Sequence, residues 1–306
     1  MNWKKINLYL LLSFAISWIS LYIMNLAGIE YGSLPSIIVL AVFYMGSPAL
    51  ATFIIQKYIY KEGFKIYGWT FEKKYLKQTL LTIVYFLLLF GFTMLFILAL
   101  GNTSIIPEFG QFSFSQDVFD TNLRILIEEK SGMDLSDADL PSMPANILFF
   151  AIMLQAIIAG CTVNLPFMFG EEFGWRGLLL KETQSMGFLK ANLFIGFVWG
   201  VWHAPIIFLG HNYPNYPYFG ILMMCFFTIS LSPLFAYVRL KTQSILAPSM
   251  LHGMINASAG LFILYVTDAN ELYGSLAGWA GVFSGVFITI MIFLFDKDFV
   301  KNYRTL

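Results

Sequence analysis

Charge is scarce in this chain. Of its 306 residues only 12% are Asp, Glu, Lys or Arg, while 58% are hydrophobic. A soluble domain carries about 25% charged residues, so the shortfall excludes an ordinary soluble surface over most of the length. Cysteine is nearly absent as well. Cys161 and Cys225 both fall inside apolar runs, which fits packing and not a disulfide scaffold. There is no Gly-rich phosphate loop, no internal repeat, no basic patch suited to nucleic acid and no H-E-x-x-H. Histidine occurs three times, so the position of each is informative.

What the chain has is long apolar runs. Eight stretches suffice to cross a hydrocarbon core of roughly 30 Å: 6–28, 34–56, 78–100, 145–170, 189–210, 216–237, 244–266 and 275–295. Backbone in lipid must satisfy its own hydrogen bonds, so these are expected to be helices. They lack the alternation of a membrane barrel. The first run follows Lys4 and Lys5. It is too long for the core of a secretory signal, so a retained span is expected. With the N-terminus inside and each span reversing the chain, all but Arg124 and Lys130 of the eighteen Lys and Arg residues fall on the cytoplasmic side, the positive-inside pattern. The expected fold is all-α: a polytopic membrane helix bundle of about eight transmembrane helices, with both termini cytoplasmic. It forms one integral membrane domain over 1–306, placed in the plasma membrane.

The segment 101–144 is the one long insert and carries eight acidic residues, Asp134, Asp137 and Asp139 among them. It reads as a solvated external loop, although Asp117–Glu129 has the pattern of a short amphipathic helix. The sequence HNYPNYPY from His211 reads as an interfacial aromatic turn, which sets His211 aside as a catalytic residue.

Ionisable groups inside spans are costly and by default mark function. Three segments carry them. In Glu171-Glu172-Phe173-Gly174-Trp175-Arg176, at the end of the fourth run, helical spacing lets Glu172 pair with Arg176. Glu171 points about 100° away and is left for acid–base work. In Trp199-Gly200-Val201-Trp202-His203, the histidine lies thirteen residues past Lys190, about 20 Å along a helix, and needs a polar partner. In His252-Gly253-Met254-Ile255-Asn256, His252 and Asn256 share a helix face and have donors for a developing oxyanion. Gly253 would permit close approach of another backbone. Each segment alone also fits a structural role: a charge cluster at a helix end, a packed histidine, a polar clamp between helices. Together they hold the parts needed to hydrolyse an amide.

The order EExxxR, aromatic-xxx-His, HxxxN on successive hydrophobic segments resembles the CAAX-protease and bacteriocin-processing family (CPBP, also called Abi), which includes the type II CAAX prenyl endopeptidases. The resemblance implies an intramembrane glutamic endopeptidase with a catalytic core over 145–266. It implies that Glu171 activates water with help from His203, that His252 and Asn256 form the oxyanion hole, and that Glu172 and Arg176 support the site. The family's second motif usually begins with Phe, where this chain has Trp199. The implied partner is a membrane-associated peptide or protein substrate, lipidated or not, reached from the cytoplasmic half of the bilayer; nucleic acid is not expected.

Other readings use the same residues differently. Two histidines and a carboxylate can hold zinc with an open position for water, although no cofactor is the expectation. Buried His and Glu also serve proton-coupled transporters, but these would bring two matching halves, and the polar residues here cluster in the C-terminal half. A non-catalytic scaffold or immunity protein would keep the motifs for structure alone.

Overall fold

The computed structural model describes residues 1–70, 72–131 and 143–305. In chain order its main helices are α1 (Trp3–Leu26), α2 (Leu34–Tyr60), α3 (Lys73–Leu100), α4 (Gln116–Ser131), α5 (Ala145–Cys161), α6 (Leu165–Met186), α7 (Phe188–Phe208), α8 (Pro217–Thr242), α9 (Leu246–Tyr265), α10 (Trp279–Phe295) and α11 (Lys297–Asn302). Among the described residues, α1, α2, α3, α7, α8 and α9 are each long and apolar enough to cross a membrane. The chain is an all-α polytopic bundle and an integral membrane protein.

Each of the eight expected runs is largely helical, but two differ from the expectation. The run 145–170 is not one continuous span. It breaks after Cys161, and α5 and α6 meet at 57°. Pro166 opens α6; lacking an N–H, it fits a helix start and not a helix interior. As a result Glu171 and Glu172 do not end a span. They lie inside α6, which continues to Met186. The last run, 275–295, is helical only over Trp279–Phe295, seventeen residues.

The described part of the segment 101–144 is more ordered than a solvated loop. Gln111–Phe112 (β1) pairs antiparallel with Val266–Thr267 (β2). Helix α4 then packs on the end of α9: Phe119 meets Tyr265 at 5.3 Å between ring centroids, and Asn122 Nδ2 donates to the carbonyls of Leu264 (3.2 Å) and Val266 (3.3 Å). The amphipathic pattern of Asp117–Glu129 is therefore the part that holds. Asp134, Asp137 and Asp139 lie outside the described residues.

The two ends of the bundle differ chemically. At one end Lys5 Nζ meets Glu62 at 2.8 Å and Glu182 at 3.2 Å, Lys241 meets Asp296 at 2.6 Å, and Gln184 Nε2 donates to the Tyr303 carbonyl at 2.8 Å. At the other, tyrosines and amides make the contacts. Tyr31 Oη and His211 Nδ1 are 2.8 Å apart, Tyr213 donates to the Ala277 carbonyl at 2.6 Å, and Asn215 meets Glu271. Burial holds the His211 imidazole well below its ordinary range, at about 4. Between these ends α7 and α8 pack closely, with Thr228 Oγ1 donating across to the Gly196 carbonyl at 2.8 Å.

Candidate active site

Helix α6 widens where the chemistry begins. After Glu172 the backbone turns into a π-helical stretch, Phe173–Leu179. Such bulges turn side chains that a regular helix would spread around its circumference, and they recur at functional sites. Glu171, Glu172 and Arg176 are all buried here, at 3%, 0% and 1% exposure.

Glu172 is the hub. Arg176 Nη1 reaches both of its oxygens at 3.2 Å, as the i,i+4 spacing predicts. The sequence did not reveal that His252, from α9, also binds it: Nδ1 lies 2.9 Å from Oε1. A carboxylate only accepts, so Nδ1 carries a hydrogen and Nε2 points elsewhere. The guanidinium of Arg176 is held between two rings, 4.2 Å from the centroid of Trp199 and 4.4 Å from that of Phe235, and its Nη2 donates to Ser232 Oγ at 3.3 Å. Ser232 and Phe235, both on α8, carry no signal that would single them out in an apolar run.

Glu171 is held by a different group. The indole Nε1 of Trp199 donates to its Oε2 at 3.2 Å. Trp199, legible in the sequence only as an exchanged aromatic, thus supplies a hydrogen bond that phenylalanine lacks. The same residue's carbonyl accepts from His203 Nδ1 at 2.8 Å. That bond assigns the Nδ1–H tautomer and leaves Nε2 with its lone pair. Glu171 and His203 therefore meet through Trp199, one bonded to its side chain and the other to its backbone.

His203 sits at a break in α7. Pro205 removes the next backbone donor, and the carbonyl of Trp202 takes two side-chain donors instead: Tyr44 Oη at 2.7 Å and Trp18 Nε1 at 3.1 Å. These tie α1 and α2 to the turn that presents His203, which is half-buried.

Helix α9 lies backbone against backbone on α5. A Cβ on Gly253 would stand 2.9 Å from Gly160 Cα, so glycine is required there, and Asn164 Nδ2 donates to the Gly253 carbonyl at 3.1 Å. Asn256 is exposed, and its amide points at Met168 Sδ, 3.3 Å away. The structure thus joins Glu172, Arg176 and His252 directly and joins Glu171 and His203 through Trp199. Asn256 stands at the rim. Among the described residues no three His, Cys, Asp or Glu side chains converge on a point that would hold a metal.

Residues 144–258, which contain all six of these polar groups, match the model of a family described as type II CAAX prenyl endopeptidase Rce1-like. That segment, a little over a third of the chain, is similar to the Rce1-like family. A curated relative, "CAAX prenyl protease 2" of Methanococcus maripaludis, is 32% identical over 101 residues, which is 31% of this chain and 37% of that protein. The chain thus aligns with little more than a third of that relative's length.

Proposed function

We propose that this Rce1-like protein is an intramembrane endopeptidase of the glutamic type. The observation that carries the reading is the division of labour between two adjacent buried carboxylates. Glu172 is committed to Arg176 and His252, whereas Glu171 is held by one indole N–H and keeps an oxygen for water.

In the proposed reaction a water between Glu171 and His203 Nε2 attacks the scissile carbonyl carbon. Glu171 takes the water's proton and returns it to the leaving amine as the C–N bond breaks. The oxyanion that forms meanwhile takes hydrogen bonds from His252 Nε2 and the Asn256 amide. Donation from Nε2 requires a hydrogen there in addition to the one that Nδ1 gives to Glu172.

The substrate is a membrane-associated peptide or protein. The basic end of the bundle supports an orientation with both termini in the cytoplasm and the site opening towards that half of the plasma membrane. Glu171→Ala and His203→Ala in purified, folded protein should each abolish cleavage of a membrane-borne substrate. Full turnover in both would sink the assignment. Zinc is the rival source of an activated water; activity lost to a chelator and restored by zinc would replace this mechanism with a metal-dependent one.

A further inference from the structure

At the end of the bundle where Lys5 and Lys241 make their ion pairs, one buried cation is left without a counter-charge. Arg239, near the end of α8, is only 6% exposed, yet its Nε and Nη1 have no hydrogen-bond acceptor. Native structures pair nearly all buried groups of this kind, and an uncompensated buried charge is strongly unfavourable. The backbone is shaped around this one. Gly68 is in the left-handed region (φ +83°), and a Cβ there would stand 2.3 Å from the Arg239 guanidinium carbon. The turn is laced to the chain beyond α8: Thr70 Oγ1 donates to the Gln243 carbonyl at 2.7 Å, Ser244 Oγ to the Thr70 carbonyl at 2.6 Å and Ile245 N to the Gly68 carbonyl at 2.9 Å.

Two cavities adjoin at this turn. The first, of about 280 Å³, has Arg239, Lys65, Lys181, Arg176 and Glu72 as the charged groups of its lining. Glu72 is paired with Lys74 at 2.7 Å, and Arg176 is committed to Glu172. Lys181 Nζ meets a neutral oxygen, Oε1 of Gln184, at 3.3 Å. Arg239, Lys65 and Lys181 therefore leave this lining positive. The second cavity, of about 260 Å³, shares Thr70 with the first and is otherwise lined by Gly68, Trp69, Phe169 and Leu246. Trp69 is 55% exposed and stands edge-on to Phe169, 5.3 Å away between ring centroids. A cationic cavity thus lies beside an apolar one, with Thr70 on the wall of both.

That juxtaposition fits an amphiphile with an anionic head. A phosphate spreads its acceptor oxygens over a tetrahedron that several cations can share, whereas a carboxylate presents one planar edge that a single guanidinium fills. Basic pockets between membrane helices hold the phosphates of anionic lipids. A soluble phosphate would use the first cavity and make no use of the second. We propose that the two cavities together bind one anionic phospholipid, with its phosphate on Arg239, near Lys65 and Lys181, and part of an acyl chain against Trp69, Phe169 and Leu246. The lipid is a resident ligand and not a substrate, so the proposal stands apart from the hydrolytic reading.

The test compares lipids that differ in charge alone. Full-length protein stripped of lipid in a neutral maltoside detergent is titrated with phosphatidylglycerol or phosphatidylcholine carrying the same chains. Bound lipid is counted by native mass spectrometry, and the melting temperature is read in parallel. Phosphatidylglycerol should bind about tenfold more tightly, the worth of one charge-assisted bond, and should raise the melting temperature. Arg239→Gln should bring it down to the phosphatidylcholine level. Lys297→Gln, at an exposed lysine outside the cavity lining, should leave the preference intact. Trp69→Ala should weaken both lipids by the same factor, because it removes chain contact and spares the head. Should Arg239→Gln fail to fold, Lys65→Gln, at an exposed position, should lower the preference about threefold. Equal binding of the two lipids overturns the proposal, as does a preference that Lys297→Gln lowers as much as Arg239→Gln. Inorganic phosphate that displaces phosphatidylglycerol at matched concentration would give the cavity to a soluble anion and overturn the lipid. Oleate that displaces it equally well would give the head site to a carboxylate, with the same consequence.

Discussion

The first three spans and the last three long ones are built from similar residues but do different work. In α1, α2 and α3, 28% of the most apolar stretch is buried in the bundle; in α7, α8 and α9 the shares are 56%, 72% and 61%. The first group turns most of its surface outward and sends in a few donors, such as Trp18 and Tyr44. The second group carries His203, His252 and the rings around Arg176, on helices that are themselves mostly enclosed. Ionisable groups in lipid need partners on every side, and helices with most of their surface in contact with other helices can supply them.

The largest effect that would sharpen this contrast is at the buried hub. Arg176→Met leaves Glu172 with one partner fewer and should destabilise the protein by about 3–5 kcal/mol, read as a collapse of folded yield in detergent. Lys74→Met at the exposed pair with Glu72 should leave the melting temperature unchanged. Equal tolerance of both would break the comparison. Next in size, Trp199→Phe keeps the ring over Arg176 but removes the donor to Glu171. The turnover number for cleavage should fall about tenfold, matching the loss of one hydrogen bond to a charged group, with KM little changed.

Smaller again is Tyr44→Phe, where the outer spans touch the site. Loss of the bond to the Trp202 carbonyl should cost about 1 kcal/mol in thermal unfolding, while Trp202 keeps Trp18 as a donor. A last effect lies away from the site, at His211, and shows only as pH is lowered. Its imidazole is held near 4, below the value of about 6.5 in an unfolded chain. The neutral form therefore stabilises the fold above pH 6.5, and that contribution fades as pH falls towards 4. A decline of about 2 kcal/mol is expected for this half-buried group. His211→Gln should flatten the decline in a melting-temperature profile from pH 7 to pH 4.

The fold was legible wherever the signal is local. Helical runs follow from apolar length, and the Glu172–Arg176 pair follows from spacing of four. The break after Cys161 was missed because Cys161 to Asn164 offers no charge to interrupt the apolar run, and Pro166 was absorbed into it. The order in 101–144 was missed because it depends on pairing with Val266–Thr267, far along the chain. The His252–Glu172 bond joins residues eighty apart, and spacing on one helix says nothing about which helix lies opposite. Trp199 was read by its ring because an indole's N–H gains meaning only once its acceptor is known.

The pairing of Glu172 with its own helix also bears on how the protein is made. A carboxylate or guanidinium at the centre of an inserting helix costs about 3 kcal/mol each. His252 is synthesised eighty residues after Glu172, too late to help α6 leave the translocation channel. Arg176 needs no such wait, because it emerges four residues behind its partner and already neutralises it. The same bond that anchors the finished site lets Glu172 and Arg176 enter the bilayer as a neutral pair while α7, α8 and α9 are still unmade.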